Sequence, residues 1–149
     1  MTEPISPPDL SSRPYDLVVE CHVPAPPSAV YHLWTDRFDR WFAEPGAMVL
    51  TPDVNAPYFF ETVHNGQRHP HYGRFLRVEP DRYLELTWLN EAGTRGHETV
   101  LSVALAPDGN GTVLRLTHRG FADARTRDEH EAAWRKLLAE RLVPAVRDQ

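Results

Sequence analysis

A chain of 149 residues, 41% hydrophobic and 10% aromatic, can bury the core of one domain and is too apolar to stay disordered. Its formal charge of −5 argues against a nucleic-acid partner, whose readers carry a basic face. No apolar run reaches the roughly 18 residues of a membrane span, no basic-then-apolar leader opens the chain, and the single cysteine, Cys21, excludes an internal disulfide. The expectation is a cytoplasmic protein without membrane attachment, with Cys21 a small buried hydrophobe.

Seven of the fourteen prolines fall within residues 1–27. Residues 1–14, with Pro4, Pro7, Pro8 and Pro14, read as a flexible tail preceding one domain over 15–149. Tyr15 to Val23 is a first strand closed by Pro24. Pro26-Pro27-Ser28 then opens a helix, because proline fits the first helical turn. Val30, Leu33, Trp34, Phe38, Trp41 and Phe42 keep a 3.6-residue rhythm, with a break expected near Thr35-Asp36. Met48 to Leu50 is a short edge strand among prolines. Tyr58 to Val63 follows, and Asn65-Gly66 is a strong hairpin dipeptide. Further strands cover His69 to Val78, Tyr83 to Leu89, His97 to Leu105 and Thr112 to Arg119, joined by short polar turns as an antiparallel meander.

Parity places Leu84, Leu86 and Trp88 on one face of that sheet, with Leu101, Val103, Leu105, Leu114 and Leu116. Alternation is broken in 58–63 and 71–78, where a bulge is expected and faces stay unassigned. From Thr126 to Val146, Trp134, Leu137, Leu138, Leu142 and Val146 form an apolar stripe opposite Arg127, Glu131, Arg135 and Glu140. Thr126 and Glu129 have the spacing of a capping box, and Pro144 should kink the last turn. The fold class is therefore α+β: a curved antiparallel sheet of six or seven strands, in the order β-α-α-β-β-β-β-β-β-α, gripping one long C-terminal helix.

These segments resemble a known family. The evidence is the helix with Val30 and Trp41-Phe42; Gly73-Arg74-Phe75-Leu76-Arg77-Val78-Glu79-Pro80-Asp81-Arg82 running into Leu86-Thr87-Trp88; Gly111 to Phe121; and Trp134 in the last helix. In that order and spacing they resemble the family named after the activator of heat-shock-protein ATPase, within the START-like helix-grip (SRPBCC) superfamily. The resemblance implies a hydrophobic cavity between sheet and helix. Relatives bind lipids, sterols, polyketides or plant hormones, and some catalyse cyclisation or dehydration. It does not imply chaperone activation for what reads as a lone domain. Where the family usually has glycine before the helix tryptophan, this chain has Ala133, a methyl group that would narrow such a cavity.

The expected activity is binding of a small hydrophobic or aromatic molecule between sheet and helix, as carrier, sensor or sequestering module. The alternatives are an enzyme of the polyketide cyclase/dehydratase type and a protein-interaction module. The expected ligand-binding residues are Trp41, Phe60, Phe75, Trp88, His118, Trp134 and Leu138, since aromatic walls suit flat apolar ligands. Trp34, Tyr58 and Tyr72 are further aromatic candidates. His118 continues the Leu114 and Leu116 face, so it points inward as the one candidate acid/base. His130 could serve the cavity mouth, and Arg141 could meet a ligand carboxylate. Of the histidines at 64, 69, 71 and 97 (His64, His69, His71 and His97), His69 and His71 could face the same way on a strand and bind zinc with a third ligand, but a Gly/Pro hairpin supplies no fixed shell, and the plainer reading is a solvated polar tip. No metal or cofactor is expected. No nucleophile elbow, phosphate loop or catalytic carboxylate pair is present. The chain should be a monomer or homodimer.

Overall fold

Seven strands form one antiparallel sheet in a computed structural model that describes residues 2–148. They are β1 (Tyr15–Val23), β2 (Met48–Val49), β3 (Pro57–His64), β4 (Gln67–Glu79), β5 (Tyr83–Trp88), β6 (Thr99–Asp108) and β7 (Gly111–Phe121). Their order across the sheet is β1-β7-β6-β5-β4-β3-β2, so the meander from β2 to β7 is closed by the N-terminal strand. Helix α1 (Pro27–Leu33) begins with proline and ends where the Thr35 hydroxyl donates to the Tyr31 carbonyl (2.9 Å). One 3₁₀ turn, Phe38–Arg40, follows the expected break.

The parity expectations hold. Leu84, Leu86, Trp88, Leu101, Val103, Leu114 and Leu116 are all buried on the inner face, as are Leu17, Val19 and Val23 of β1. They meet the stripe Trp134, Leu138 and Leu142 of the C-terminal helix. Each fully buried aliphatic or aromatic side chain contributes about 1.5–3 kcal/mol, so this apolar seam between sheet and helix dominates the fold's stability.

Two local expectations about the helix need revision. The N-cap of α2 (Ala124–Leu137) is Asp123, whose extended backbone lets its carboxylate accept from the Thr126 amide (2.7 Å). Thr126 therefore lies inside the first turn and caps nothing. An aspartate three residues upstream takes the amide a capping box would have used. At the other end the helix continues rather than simply kinking. Pro144 has no N–H for Glu140, and the preceding turn, Leu138–Leu142, widens to π geometry with the Val143 amide reaching the Leu138 carbonyl. A three-residue helix, α3 (Val143–Ala145), completes the rod.

The outer face of the sheet is not left to solvent. Thr87, Val100 and Ser102 are buried there. Arg74 donates to the carbonyls of Ile5 and Ser6. Arg13 donates to those of Gly120 (2.8 Å) and Glu98 (2.5 Å). Residues 5–13 thereby run from β4 to the β6–β7 side of the sheet.

The broken alternation in β4 has two causes. The register against β5 shifts between Phe75 and Arg77, so Phe75 and Leu76 are both buried. Gly73 sits opposite Tyr58, whose ring lies over it and whose hydroxyl donates to the Thr87 carbonyl (2.6 Å). A Cβ at residue 73 would collide with that ring and with the Thr87 backbone. Gly73→Ala is expected to lower unfolding free energy by about 3 kcal/mol, at the upper end for overpacking, because a backbone oxygen cannot step aside. Urea denaturation measures this, and a loss below about 1 kcal/mol would show that β3 and β4 part easily.

Candidate functional site

Between sheet and rod lies a cluster of aromatic rings. Trp34 meets Trp41 at 5.0 Å and Trp134 at 6.0 Å, and Phe38 stacks on Phe42 at 5.0 Å. Phe42 stacks on Trp134 at 5.5 Å, Phe60 lies 5.4 Å from Trp88, and Trp88 lies 5.6 Å from Trp134. Of the seven expected ligand-binding residues, Trp41, Phe60, Trp88, His118 and Trp134 share this cluster. Leu138 is buried one turn beyond Trp134. Phe75 stands one ring removed, touching Tyr58 at 5.9 Å. Trp34, Phe38, Trp41, Phe60, Trp88 and Trp134 are all buried. Tyr72 lies elsewhere, 45% exposed on the outer side against Phe59. Arg141 is exposed too, away from the interior.

Three histidines cross this apolar region, and their partners fix their tautomers. At His118 the Trp134 indole N–H donates to Nδ1 (3.1 Å). The proton must then sit on Nε2, which donates to the Thr99 hydroxyl (2.8 Å), itself donating to the Trp88 carbonyl (2.6 Å). This one-way chain joins α2, β7, β6 and β5 and leaves neither ring nitrogen of His118 free. Burial pushes the His118 pKa well below the usual imidazole value, so the ring is neutral at physiological pH.

His71 corrects the reading of a solvated hairpin tip. It is 5% exposed and stacks on Phe60 at 4.6 Å. Its Nδ1 donates to the His69 carbonyl (3.1 Å), and its Nε2 accepts from the Asn90 amide (2.8 Å). Burial depresses its pKa to about 4. Asn90 in turn organises the β5–β6 loop, its Oδ1 accepting from the amides of Gly93 (2.6 Å) and Thr94 (2.9 Å). Among the described residues no three His, Cys, Asp or Glu side chains converge as a metal shell would require.

His130 is the member that reaches a surface. Its Nδ1 donates to the Thr126 carbonyl (2.9 Å), which leaves the Nε2 lone pair unclaimed. Its ring lies 5.6 Å from His118 and 4.7 Å from Phe121, and burial lowers its pKa. It lines a cleft of about 370 Å³ between α2 and the β5–β6 loop, with Thr126, Ala133, Gly93 and Arg95. Ala133 is exposed here, so its methyl narrows this mouth and not the approach of helix to sheet. Arg95 pairs with the capping Asp123 (3.4 Å) across the opening. Among the described residues four buried side-chain polar atoms have no hydrogen-bond partner: the Trp34 indole nitrogen inside the cluster, the Thr126 hydroxyl at the mouth, and, away from this region, Glu79 Oε2 and His97 Nδ1. An orphaned buried donor costs about 1–3 kcal/mol.

A curved seven-stranded antiparallel sheet closed on a C-terminal helix, with its one line of polar groups running from the surface into the grip, is a START-like helix-grip domain. The chain belongs to the family described as "Activator of Hsp90 ATPase homolog 1-like protein", which matches residues 24–147. No curated protein matches the sequence. Among solved structures, protein CV1439 of Chromobacterium violaceum superposes with a TM-score of 0.76 at 22% identity, over 88% of this chain and 96% of that one. DynU16, a protein in the dynemicin biosynthetic locus, gives 0.70 at 20% identity, over 83% of this chain and 44% of its own. The Aha1 dimer of Colwellia psychrerythraea gives 0.66 at 17% identity, over 89% and 96%. At these identities the likeness establishes the fold. No helix among the described residues is long and apolar enough to cross a membrane.

Proposed function

We propose that this domain binds a small, mainly apolar molecule carrying a hydrogen-bond acceptor, admitted at the His130 mouth and held among the aromatic rings. One observation carries the reading: the Trp34 indole N–H is buried without a partner in an interior where His71, His118, Thr99, Trp41 and Trp134 have all found theirs. A guest oxygen near Trp34 and Trp134 would relieve that cost. The rings would part to admit it. The place of DynU16 in a biosynthetic locus agrees with a small-molecule role.

The enzymatic alternative has to run through His130, whose Nε2 is available, because both nitrogens of His118 are engaged. Assembly as monomer or as homodimer, the state of the Colwellia protein, is open to light scattering.

Nile red, a neutral probe with a carbonyl acceptor, tests the binding reading. It should bind saturably with blue-shifted emission, and Trp34→Phe should raise its Kd about fivefold, the worth of one net hydrogen bond. No saturable binding, or an unchanged Kd in Trp34→Phe, would reject it. Mass spectrometry of the native protein from its own host would then identify the guest.

A further inference from the structure

A larger concavity than the His130 cleft lies elsewhere, beside α1. It is a cleft of about 850 Å³ bounded by Thr2–Pro4, by Pro52–Val54 and by the part of β4 that follows its bulge. The bulge itself makes the floor: with the register shifted between Phe75 and Arg77, Leu76 turns toward the cleft beside Val78, Val54 and the ring of Tyr31. The rim is charged in one sense. Glu3, Asp53, Glu79 and Glu85 line it, against one guanidinium, Arg77. That guanidinium is already committed, paired with Glu79 and lying 4.7 Å over the ring of Tyr83.

Tyr31 supplies the second feature. It is 7% exposed and lines the cleft, and its hydroxyl, bonded to no described residue, is open to the cleft and not sealed from it. Burial and the fields of Asp81, Asp53 and Asp36 raise its pKa, which keeps it a neutral hydroxyl with a lone pair to offer. A neutral apolar guest would leave the carboxylates unused, and an anion would be repelled by them. A metal ion would need converging ligands, and the described residues offer no such group.

We propose that this cleft is a second binding site, separate from the grip interior, for an organic ammonium ion: a primary amine on an apolar body. The body rests on Tyr31, Val54 and Leu76, the ammonium donates to the Tyr31 hydroxyl, and the Asp53 carboxylate supplies the counter-charge. Attraction between partly exposed charges of this kind falls with salt.

Dansylcadaverine and dansylglycine share one fluorophore and differ in charge, so they make the test. In low salt at neutral pH, dansylcadaverine should bind saturably with a blue shift, and dansylglycine should not bind. Asp53→Asn, an exposed loop change that leaves folding alone, should raise the dansylcadaverine Kd about fivefold. Tyr31→Phe should raise it about threefold, and ~0.5 M salt should weaken binding in the parent more than in Asp53→Asn. Trp34→Phe should leave it unchanged, which separates this site from the interior one. Equal binding of the two dansyl compounds, an unaltered Kd in Asp53→Asn, or loss of binding in Trp34→Phe alone would each overturn the proposal.

Discussion

Acidification from about pH 7.5 to pH 4.5 should remove a large part of this protein's stability before its carboxylates protonate. The cause is three histidines held neutral by burial. His71 has its pKa depressed to about 4, and those of His118 and His130 lie below the usual 6.5. In the unfolded chain the same imidazoles take up protons near pH 6.5. Between that value and the folded pKa the unfolded state binds more protons, so stability falls with pH. It is fully present above about pH 7.5 and is lost progressively down to about pH 4. For His71 the difference amounts to about 3 kcal/mol, at about 1.4 kcal/mol per unit. Where His71 is neutral in the folded state and protonated in the unfolded chain it alone gives a slope of about 1.4 kcal/mol per pH unit, and His118 and His130 act in the same direction, against a total of about 5–15 kcal/mol for a domain of this size. The faces of the His71 and His118 rings meet Phe60, Trp88, Trp134, Phe121 and His130, and neither ring joins an ion pair that would offset the loss. Urea unfolding at half-unit pH steps measures the slope. His71→Gln keeps an acceptor for the Asn90 amide and cannot titrate, so its slope should be shallower by about 1.4 kcal/mol per pH unit between about pH 6 and 4.5. A slope near zero between pH 6.5 and 5 would show that these imidazoles are not buried neutral.

Much of the architecture is legible from one-dimensional pattern because the pattern is local. Leu84, Leu86 and Trp88 alternate, Trp134, Leu138 and Leu142 step by four, and Asn65-Gly66 turns the β3–β4 hairpin; each requires only its neighbours. What escapes notice depends on pairing across the sheet. His71 reads as part of a polar tip until its register opposite Phe60 is known, and the two features that hide it, Gly73 and the bulge before Arg77, are those that interrupt alternation. The cap went to Asp123 because two acceptors compete for one amide, and the sequence carries no record of which backbone is extended. Of the site, the buried aromatics were readable as a set, but their state was not: parity brings Trp88 and Trp134 together without telling a filled interior from an empty one. The acidic cleft was not readable at all, since residues 3, 31, 53 and 79 meet through tertiary structure alone.

His118→Ala should lower unfolding free energy by about 4 kcal/mol, and the loss should be divisible into parts. The ring fills space between Phe121 at 4.5 Å and Trp88 and Trp134 at 6.2 Å each. Its removal leaves a cavity, strands the Trp134 indole N–H, and takes from the Thr99 hydroxyl the donor it accepts from, leaving that hydroxyl its bond to the Trp88 carbonyl. His118→Phe restores most of the volume without restoring either hydrogen bond, so it should cost about 2 kcal/mol, the polar share. Thr99→Val removes the other end of the chain while conserving shape. In the His118→Phe background it should cost less than it does alone, because the hydroxyl has already lost the bond from His118 and keeps only the one to the Trp88 carbonyl; contacting residues of one network couple by about 0.5–3 kcal/mol. If the two substitutions add without coupling, or if His118→Ala costs under 1 kcal/mol, the hydrogen-bonded chain from α2 to β5 is not what holds the helix to the sheet. Dye binding adds a second readout. His118 supports the wall and presents no free nitrogen to a guest, so His118→Phe should leave the Nile red Kd within about twofold of the parent, whereas Trp34→Phe should not. Position thus separates two ring side chains of one interior: His118 holds it together, and Trp34 offers it a hydrogen-bond donor.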